Sequence, residues 1–266
     1  MPVLSEPGFK FLKKQAPIKF MATLSEDGFP NVVPILSAIA WDRDTLCFVR
    51  FMAWKTKRNL EERKRAAVSA LGLWRALEVL GEFSGFETAG ERLDFFNAQA
   101  MYRYNAYMGA GQVGVIKAVE EKGYSGTAPW RALQARMIAP ANGHGDEPAP
   151  EVMPGIVREK FRRLLSAKYI SWIDEQGWPR LRPAAGAFPV SPSQIGIVGL
   201  DDLLGKLPAG SPLALAVFST EPNAYQVKGK LAGPESKAGT QYQLIVLEKS
   251  YSAGPPLPGE QIFPPR

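Results

Sequence analysis

Among 266 residues there is one cysteine and one histidine, and no apolar run approaches the roughly 20 residues that cross a membrane as a helix. Cys47 has no partner for an internal disulfide, so nothing calls for an oxidising compartment. Its place in "TLCFV" reads as a small core residue rather than a nucleophile. His144 stands in a Gly-His-Gly loop, which argues against Ser-His-Asp catalysis, histidine-built zinc sites and histidine-ligated haem. No metal site is expected. Walker P-loop, dinucleotide glycine fingerprint and Cys-x-x-Cys are also missing. The segment "MPVLSEPGFKFLKK" lacks the apolar core of a secretion signal, so the expectation is a cytoplasmic protein.

Proline (23) and glycine (25) are plentiful and fall between short apolar runs, the pattern of β structure with many turns. The net charge of +6 permits an anionic partner without naming one. Residues 53–65, "AWKTKRNLEERKR", hold six cations and two carboxylates, so most of the excess sits in one place. Such a cluster can be a nucleic-acid patch, a solvated helix face or the seat of one small anion.

The chain repeats itself. Residues 19–49 lie without a gap on 168–198, with Lys19/Lys168, Glu26/Glu175, Gly28/Gly177, Pro30/Pro179, Pro34/Pro183, Ala38/Ala187 and Val49/Val198 identical. "LEVLGEFSG" (77–85) then matches "YQVKGKLAG" (225–233), and "EEKGYSG" (120–126) matches "LEKSYSAG" (247–254). About twenty extra residues separate the last two blocks in the first copy. There Leu93, Phe96, Ala100, Tyr104 and Tyr107 recur at helical spacing, so an inserted packing helix is expected over about 88–110.

Each copy reads as a hairpin around a Glu-x-Gly turn, then further short strands, with a helix ahead of it at "GFKFLKKQ" and "GIVREKFRRLLS". The expected architecture is mainly β with flanking helices, as two small antiparallel barrels in tandem. The expected domains are 1–128 and 154–266, with 129–153 as a flexible linker.

In the basic cluster, a helix starting near Thr56 aims its free N–H groups and positive dipole end at an anion. Lys55 and Thr56 stand at its mouth, and Arg50 closes the strand before it. Arg63, Lys64 and Arg65 read as solvated surface. The carboxylates at 26–27, 42–44 and 201–202 fall at turns and form no acid–base pair. The second copy has "GLDDLLGKLPAG" where the first has "RFMAWKTKRNLEER", so one copy keeps an anion site that the other lacks.

The run "ATLSEDGFPNVVPI … DTLCFVRF … KTKRNL … AAVSALG … LGEFSG" resembles the FMN-binding split barrels related to pyridoxamine 5′-phosphate oxidase. The resemblance implies a split β-barrel, with the second, degenerate copy completing a pseudo-dimer in one chain. It implies that Val33, Pro34 and Ile35 line the flavin ring through main-chain contacts, and that Val49 and Arg50 border its pyrimidine side or ribityl chain. Lys55 and Thr56, supported by Asn59, would receive the phosphate. The chain ends "GPPLPGEQIFPPR", unlike the Arg- and Trp-containing segment that grips pyridoxal phosphate in the vitamin-oxidising members, so that substrate is not implied.

The resulting expectation is an FMN-dependent oxidoreductase acting on an unknown small molecule, with NAD(P)H as a partner and a homodimer of pseudo-dimers as the assembly. No nucleic acid or membrane partner is expected, and no residue is named as catalytic. The alternatives are a deazaflavin in place of FMN, or a non-catalytic flavin-, deazaflavin- or haem-binding module.

Overall fold

A computed structural model describes residues 2–49, 54–72, 75–99, 110–125, 129–140, 150–219, 221, 223–254 and 258–265. The first half runs α1 (Glu6–Lys13), β1 (Ile18–Leu24), β2 (Pro30–Pro34), β3 (Ile39–Ala40), β4 (Thr45–Val49) and α2 (Trp54–Arg63). It continues with β5 (Arg65–Leu71), β6 (Arg75–Glu87), α3 (Glu91–Ala98) and β7 (Val113–Ser125), followed by α4 (Pro129–Ile138). The second half runs α5 (Gly155–Arg162), β8 (Ala167–Ile173), β9 (Pro179–Pro183), β10 (Ala187–Ser191), β11 (Gln194–Ile197) and α6 (Asp201–Leu204). It closes with β12 (Pro212–Phe218), β13 (Ala224–Lys237), β14 (Thr240–Ser252) and β15 (Gln261–Phe263).

The strands form two antiparallel sheets of one design. The first has the order β2-β1-β5-β6-β7-β4-β3, and the second β9-β8-β12-β13-β14-β11-β10, with β15 added beside β14. Read in step, each strand of the first sheet has its counterpart seven later. Even the irregularities recur. The long β6–β7 ladder shifts register at Leu80/Gly81 and Phe83/Gly85, and the β13–β14 ladder at Lys228/Gly229 and Leu231/Gly233. Gly85 and Gly233 sit at φ 144° and 130°, which only glycine adopts without strain, so "LGEFSG" and "KGKLAG" encode the same bulged, curling strand. The fold is two tandem split β-barrels arranged as a pseudo-dimer.

Each barrel has its own core. Met21, Phe48, Leu60, Val68, Val79 and Ile116 fill the first; Ile170, Ile195, Leu215, Val227 and Ile245 fill the second. A third cluster joins them: Phe20, Ala22, Val32, Ala67 and Leu80 pack against Tyr169, Leu181, Ala214 and Ala216. Successive residues of a strand face opposite sides, so β1, β5, β8 and β12 are buried on both faces, which explains why they are mostly apolar rather than alternating. Alanines at the junction let the sheets approach closely. Phe20 and its counterpart Tyr169 stack on each other at 4.5 Å, where the pseudo-twofold passes, and Tyr169 Oη shares a 3.0 Å hydrogen bond with Ser69 Oγ.

The expected helices ahead of each copy are α1 and α5, which bury Phe11 and Leu12, and Val157 and Phe161. Within the expected insertion the helix α3 covers Glu91–Ala98 and stops at Gln99, which is extended, and Phe96 packs into Ile39, Cys47, Val49 and Val113. Ala100, Tyr104 and Tyr107 lie outside the described residues. The supposed linker needs correcting: its first part is α4, which docks Ala135 and Ile138 against Phe188, Val198 and Tyr242 of the second barrel. Arg131 also donates to the Gly199 carbonyl. Three-residue spacing of Ala132, Ala135 and Ile138 supplies the apolar face. Cys47 is free and buried, and burial pushes its thiol up to about 12, so it stays protonated and inert. No helix among the described residues is long and apolar enough to cross a membrane.

Phe20→Ala removes the central stacking partner of both barrels. It is expected to lower the unfolding free energy by about 3–5 kcal/mol, read from urea denaturation.

Candidate functional site

The helix α2 is seated on the first barrel by its polar side chains. Asn59, buried, donates to Thr23 Oγ1 at 2.9 Å, and Thr56, buried, accepts from Asn31 Nδ2 at 3.3 Å. Leu60 enters the barrel core. No acidic residue occupies the first turn, so the positive end of the helix keeps its field. This fastening fixes where Lys55 points. Its ammonium lies 4.4 Å above the ring of Tyr251, which belongs to β14 of the other barrel.

Two further lysines of the second barrel arrive at the same place. Lys228 on β13 is fully buried and donates to Ser25 Oγ at 3.1 Å; Lys249 on β14 lies 2.9 Å from Asp27. Asp27 also faces Lys228 at 3.6 Å. Gln226 ties the two barrels alongside, donating to Asn31 Oδ1 at 3.2 Å and to the Val32 carbonyl at 2.9 Å. Three ammonium groups thus gather around one carboxylate, at the seam between barrels and beside a helix N-terminus. That donor set suits a phosphate: charge-assisted N–H donors from several directions, with cations in excess.

Burial dominates the electrostatics. It lowers Lys228 to about 7, with the charge of Lys55 adding to the effect. Burial also lowers Lys55, against the pull of Asp27. Burial alone would raise Asp27, but the Lys249 hydrogen bond and the charges of Lys228, Lys249 and Lys55 hold it below the ordinary carboxylate value. A bound anion relieves this strain by favouring the charged lysines.

The pseudo-equivalent centre, on the other side of the seam, is built differently. Glu78 stands where Gln226 does, Arg180 where Asn31 does, and Leu80 where Lys228 does. Glu78 is fully buried and accepts from Arg180 Nη2 at 2.8 Å, Tyr124 Oη at 2.7 Å and the Leu181 amide at 2.5 Å. Arg180 faces Asp174 and Glu120 as well, at 3.5 and 3.6 Å, and Arg182 meets Asp202 at 3.4 Å. Internal ion pairs occupy this centre. The four-residue α6 replaces the ten-residue α2.

Of the residues expected from sequence, Lys55, Thr56 and Asn59 come together here. Val33 lies half-buried on β2, two residues from Asn31 and so on the same strand face, with half-buried Pro34 after it. Ile35 is turned into the first core, and its main-chain N–H and C=O are taken by Lys19 and Ala38. Val49 is fully buried against α3, with its main chain bonded to the Ser37 hydroxyl. Neither of these two reaches the lysines. Arg50 and His144 lie outside the described residues. Arg65 is not mere solvated surface: it crosses the seam to the Gln176 carbonyl at 2.6 Å and stacks on Trp178. Sequence reasoning missed Asp27, Lys228, Lys249 and Gln226. Lys228 left one signal, a lysine at a position where the first copy has Leu80.

A separate cavity of about 470 Å³ lies under α1, lined by Phe11, Arg75, Leu77, Glu121 and Tyr124 among others. Its charged groups are already engaged, Arg75 over the Phe11 ring and Glu121 by the Ser5 amide and hydroxyl. The lysine junction is therefore the stronger site.

No protein-family model matches the chain, and no curated protein sequence matches it. Solved structures match it half a chain at a time. HupZ of Group A Streptococcus is 17% identical, with 46% of this chain and 94% of that chain covered and a TM-score of 0.38. An F420 reductase is 21% identical, over 45% of this chain and 98% of that one, with a TM-score of 0.37. An FMN-binding protein of Syntrophomonas wolfei is 18% identical, over 44% and 86%, with a TM-score of 0.38.

Buried Lys19 and Lys168, repeat counterparts, are each lowered to about 8 by burial and donate to main-chain carbonyls. Between a lowered folded value and the ordinary one near 10.5, the unfolded chain holds a proton that the folded chain lacks. Stability is therefore expected to rise from about pH 7 to about pH 10 through Lys228, Lys19 and Lys168. Half-buried Tyr124 and fully buried Tyr169, whose values are raised by burial, reverse the trend above that. Urea midpoints across pH 6–11 check this, and Lys228→Met should flatten the rise about pH 7–8.

Proposed function

We propose that this chain, two pyridoxamine 5′-phosphate oxidase-like split barrels in tandem, is an FMN-dependent oxidoreductase that binds one FMN at the seam between its barrels. The observation that carries this reading is the convergence of Lys55, Lys228 and Lys249, from both barrels, beside the positive end of α2. Lys55, Lys228 and Lys249 would hold the phosphate, with Thr56 and Asn59 fixing the helix that presents Lys55. The flavin ring would then lie along the Asn31–Val33 face of β2, with Pro34 at its end. Bound FMN would supply two-electron redox chemistry; the protein supplies binding, orientation and electrostatics. The substrate is a small molecule and NAD(P)H the electron source to be tried first.

The division into barrels over 1–128 and 154–266 belongs to the same reading, with α4 packed on the second. A cytoplasmic setting agrees with the single free thiol. A pairing of whole chains would come on top of the pseudo-dimer, which needs no second chain to complete the lysine junction.

FMN titrated into the purified protein should quench in flavin fluorescence and saturate at one equivalent per chain, because Arg180 and its carboxylates fill the second centre. Lys55→Ala combined with Thr56→Ala should weaken FMN binding by at least about a hundredfold, the loss of one charged partner and its support. Unchanged affinity would refute the phosphate assignment. Turnover of the FMN-loaded protein with NADH or NADPH separates an oxidoreductase from a flavin carrier: reduction supports the former, its absence with both donors the latter.

A further inference from the structure

The lysine junction already contains an anion of its own. Asp27 is partly buried, with 27% of its side chain exposed, and reaches Lys249 at 2.9 Å and Lys228 at 3.6 Å. Its place at the tip of the β1–β2 hairpin invites a simpler explanation, that the carboxylate shapes the turn. The second barrel tests that explanation. There the equivalent turn has Gln176 in place of Asp27, yet the backbone is the same: Gly177 has φ 77° against 76° for Gly28, and Gly177 donates to the Asp174 carbonyl as Gly28 does to Ser25. Asp27 Oδ1 does accept from the Phe29 amide at 3.3 Å, but in the second turn the equivalent Trp178 amide is taken at 2.8 Å by Asp174, where the first copy has Ser25, so the turn does not need its acid at the Asp27 position. An acid at the position that faces the second barrel's β13 lysine occurs only in the first copy; where Lys228 becomes Leu80 that position is Gln176, and the turn's acid is Asp174, which faces Arg180 at 3.5 Å instead.

We propose that Asp27 is an internal competitor for the phosphate: it neutralises Lys228 and Lys249 in the empty protein and is displaced from them when a phosphate monoester binds. The inference rests on the phosphate reading given above. A carboxylate offers one charge and two oxygens and here meets two of the lysines, while Lys55 is left above the Tyr251 ring. A phosphate monoester offers nearly two charges and three free oxygens, enough for all three. The exchange favours the ligand, but by the difference between the two anions rather than by the full strength of the lysine contacts. Asp27 thereby keeps a fully buried lysine compensated without ligand and sets how tightly the phosphate is held. Lys55, Lys249, Tyr251, Arg58 and Asp27 are the charged and titratable groups around Lys228 and Lys55, and Arg58 is already paired with Glu26 at 2.7 Å. Asp27 is the sole carboxylate in that set that touches Lys228.

The test compares FMN and inorganic phosphate binding to wild type, Asp27→Asn and Asp27→Glu by calorimetry at fixed ionic strength. Asp27→Asn should bind both probes about tenfold more tightly, the effect of removing one competing partner from a part-buried charge pair. Asp27→Glu, which keeps the charge, should stay close to wild type. In the Lys249→Met background the gain from Asp27→Asn should shrink, because the shared partner is gone. Asp27→Ser repeats the measurement with a smaller side chain if the asparagine variant does not fold. Equal or weaker binding by the uncharged variants would overturn the proposal. Failure of the wild type to bind either probe would instead overturn the phosphate reading itself, so the two outcomes are distinct.

Discussion

Packing of the two barrels back to back is the constraint on which the rest depends. Phe20 and Tyr169, equivalent residues of the two halves, stack at the centre, and small alanines on β5 and β12 let the sheets close around them. That contact places β13 and β14 of one barrel against the helix-bearing edge of the other. Lys228 and Lys249 reach Lys55 only because the seam is this tight. The lysine junction, made by both halves, is therefore a product of the interface, in the way a homodimer makes sites between its subunits.

One chain, unlike a homodimer, can let its two equivalent centres diverge. In one, a long helix and three lysines surround Asp27, and buried cations are left in excess. In the other, Glu78 and Arg180 satisfy each other with Tyr124 and the Leu181 amide, leaving the carboxylate nothing further to bind. Removing one partner from such a buried pair leaves an uncompensated charge, so the second centre is a structural tie across the seam. The first centre holds lysines that burial disfavours.

Much of this was legible in the sequence because the copies preserve what geometry demands. The glycine pairs of "LGEFSG" and "KGKLAG" mark the same bulges, and the apolar runs of β1 and β5 mark strands buried on both faces. Lys55, Thr56 and Asn59 were legible as one turn of helix. The other half of the site was not. Lys228 and Lys249 lie some 170–200 residues from Lys55 in the chain, and only the pseudo-twofold brings them there. For Val49 the repeat alignment located the inserted helix in sequence but not in space, and the fold packs Phe96 of α3 against it. The docked helix α4 was hidden by the proline- and glycine-rich stretch that follows it.

The phosphorus-31 resonance of protein-bound FMN, followed from pH 5 to pH 8, tests the central claim most directly. A free phosphate monoester takes up its second proton near pH 6. Held by Lys55, Lys228 and Lys249, it should stay dianionic, with a shift that does not move across that range. A resonance that titrates near pH 6 as in free FMN would place the phosphate in solvent and contradict the account.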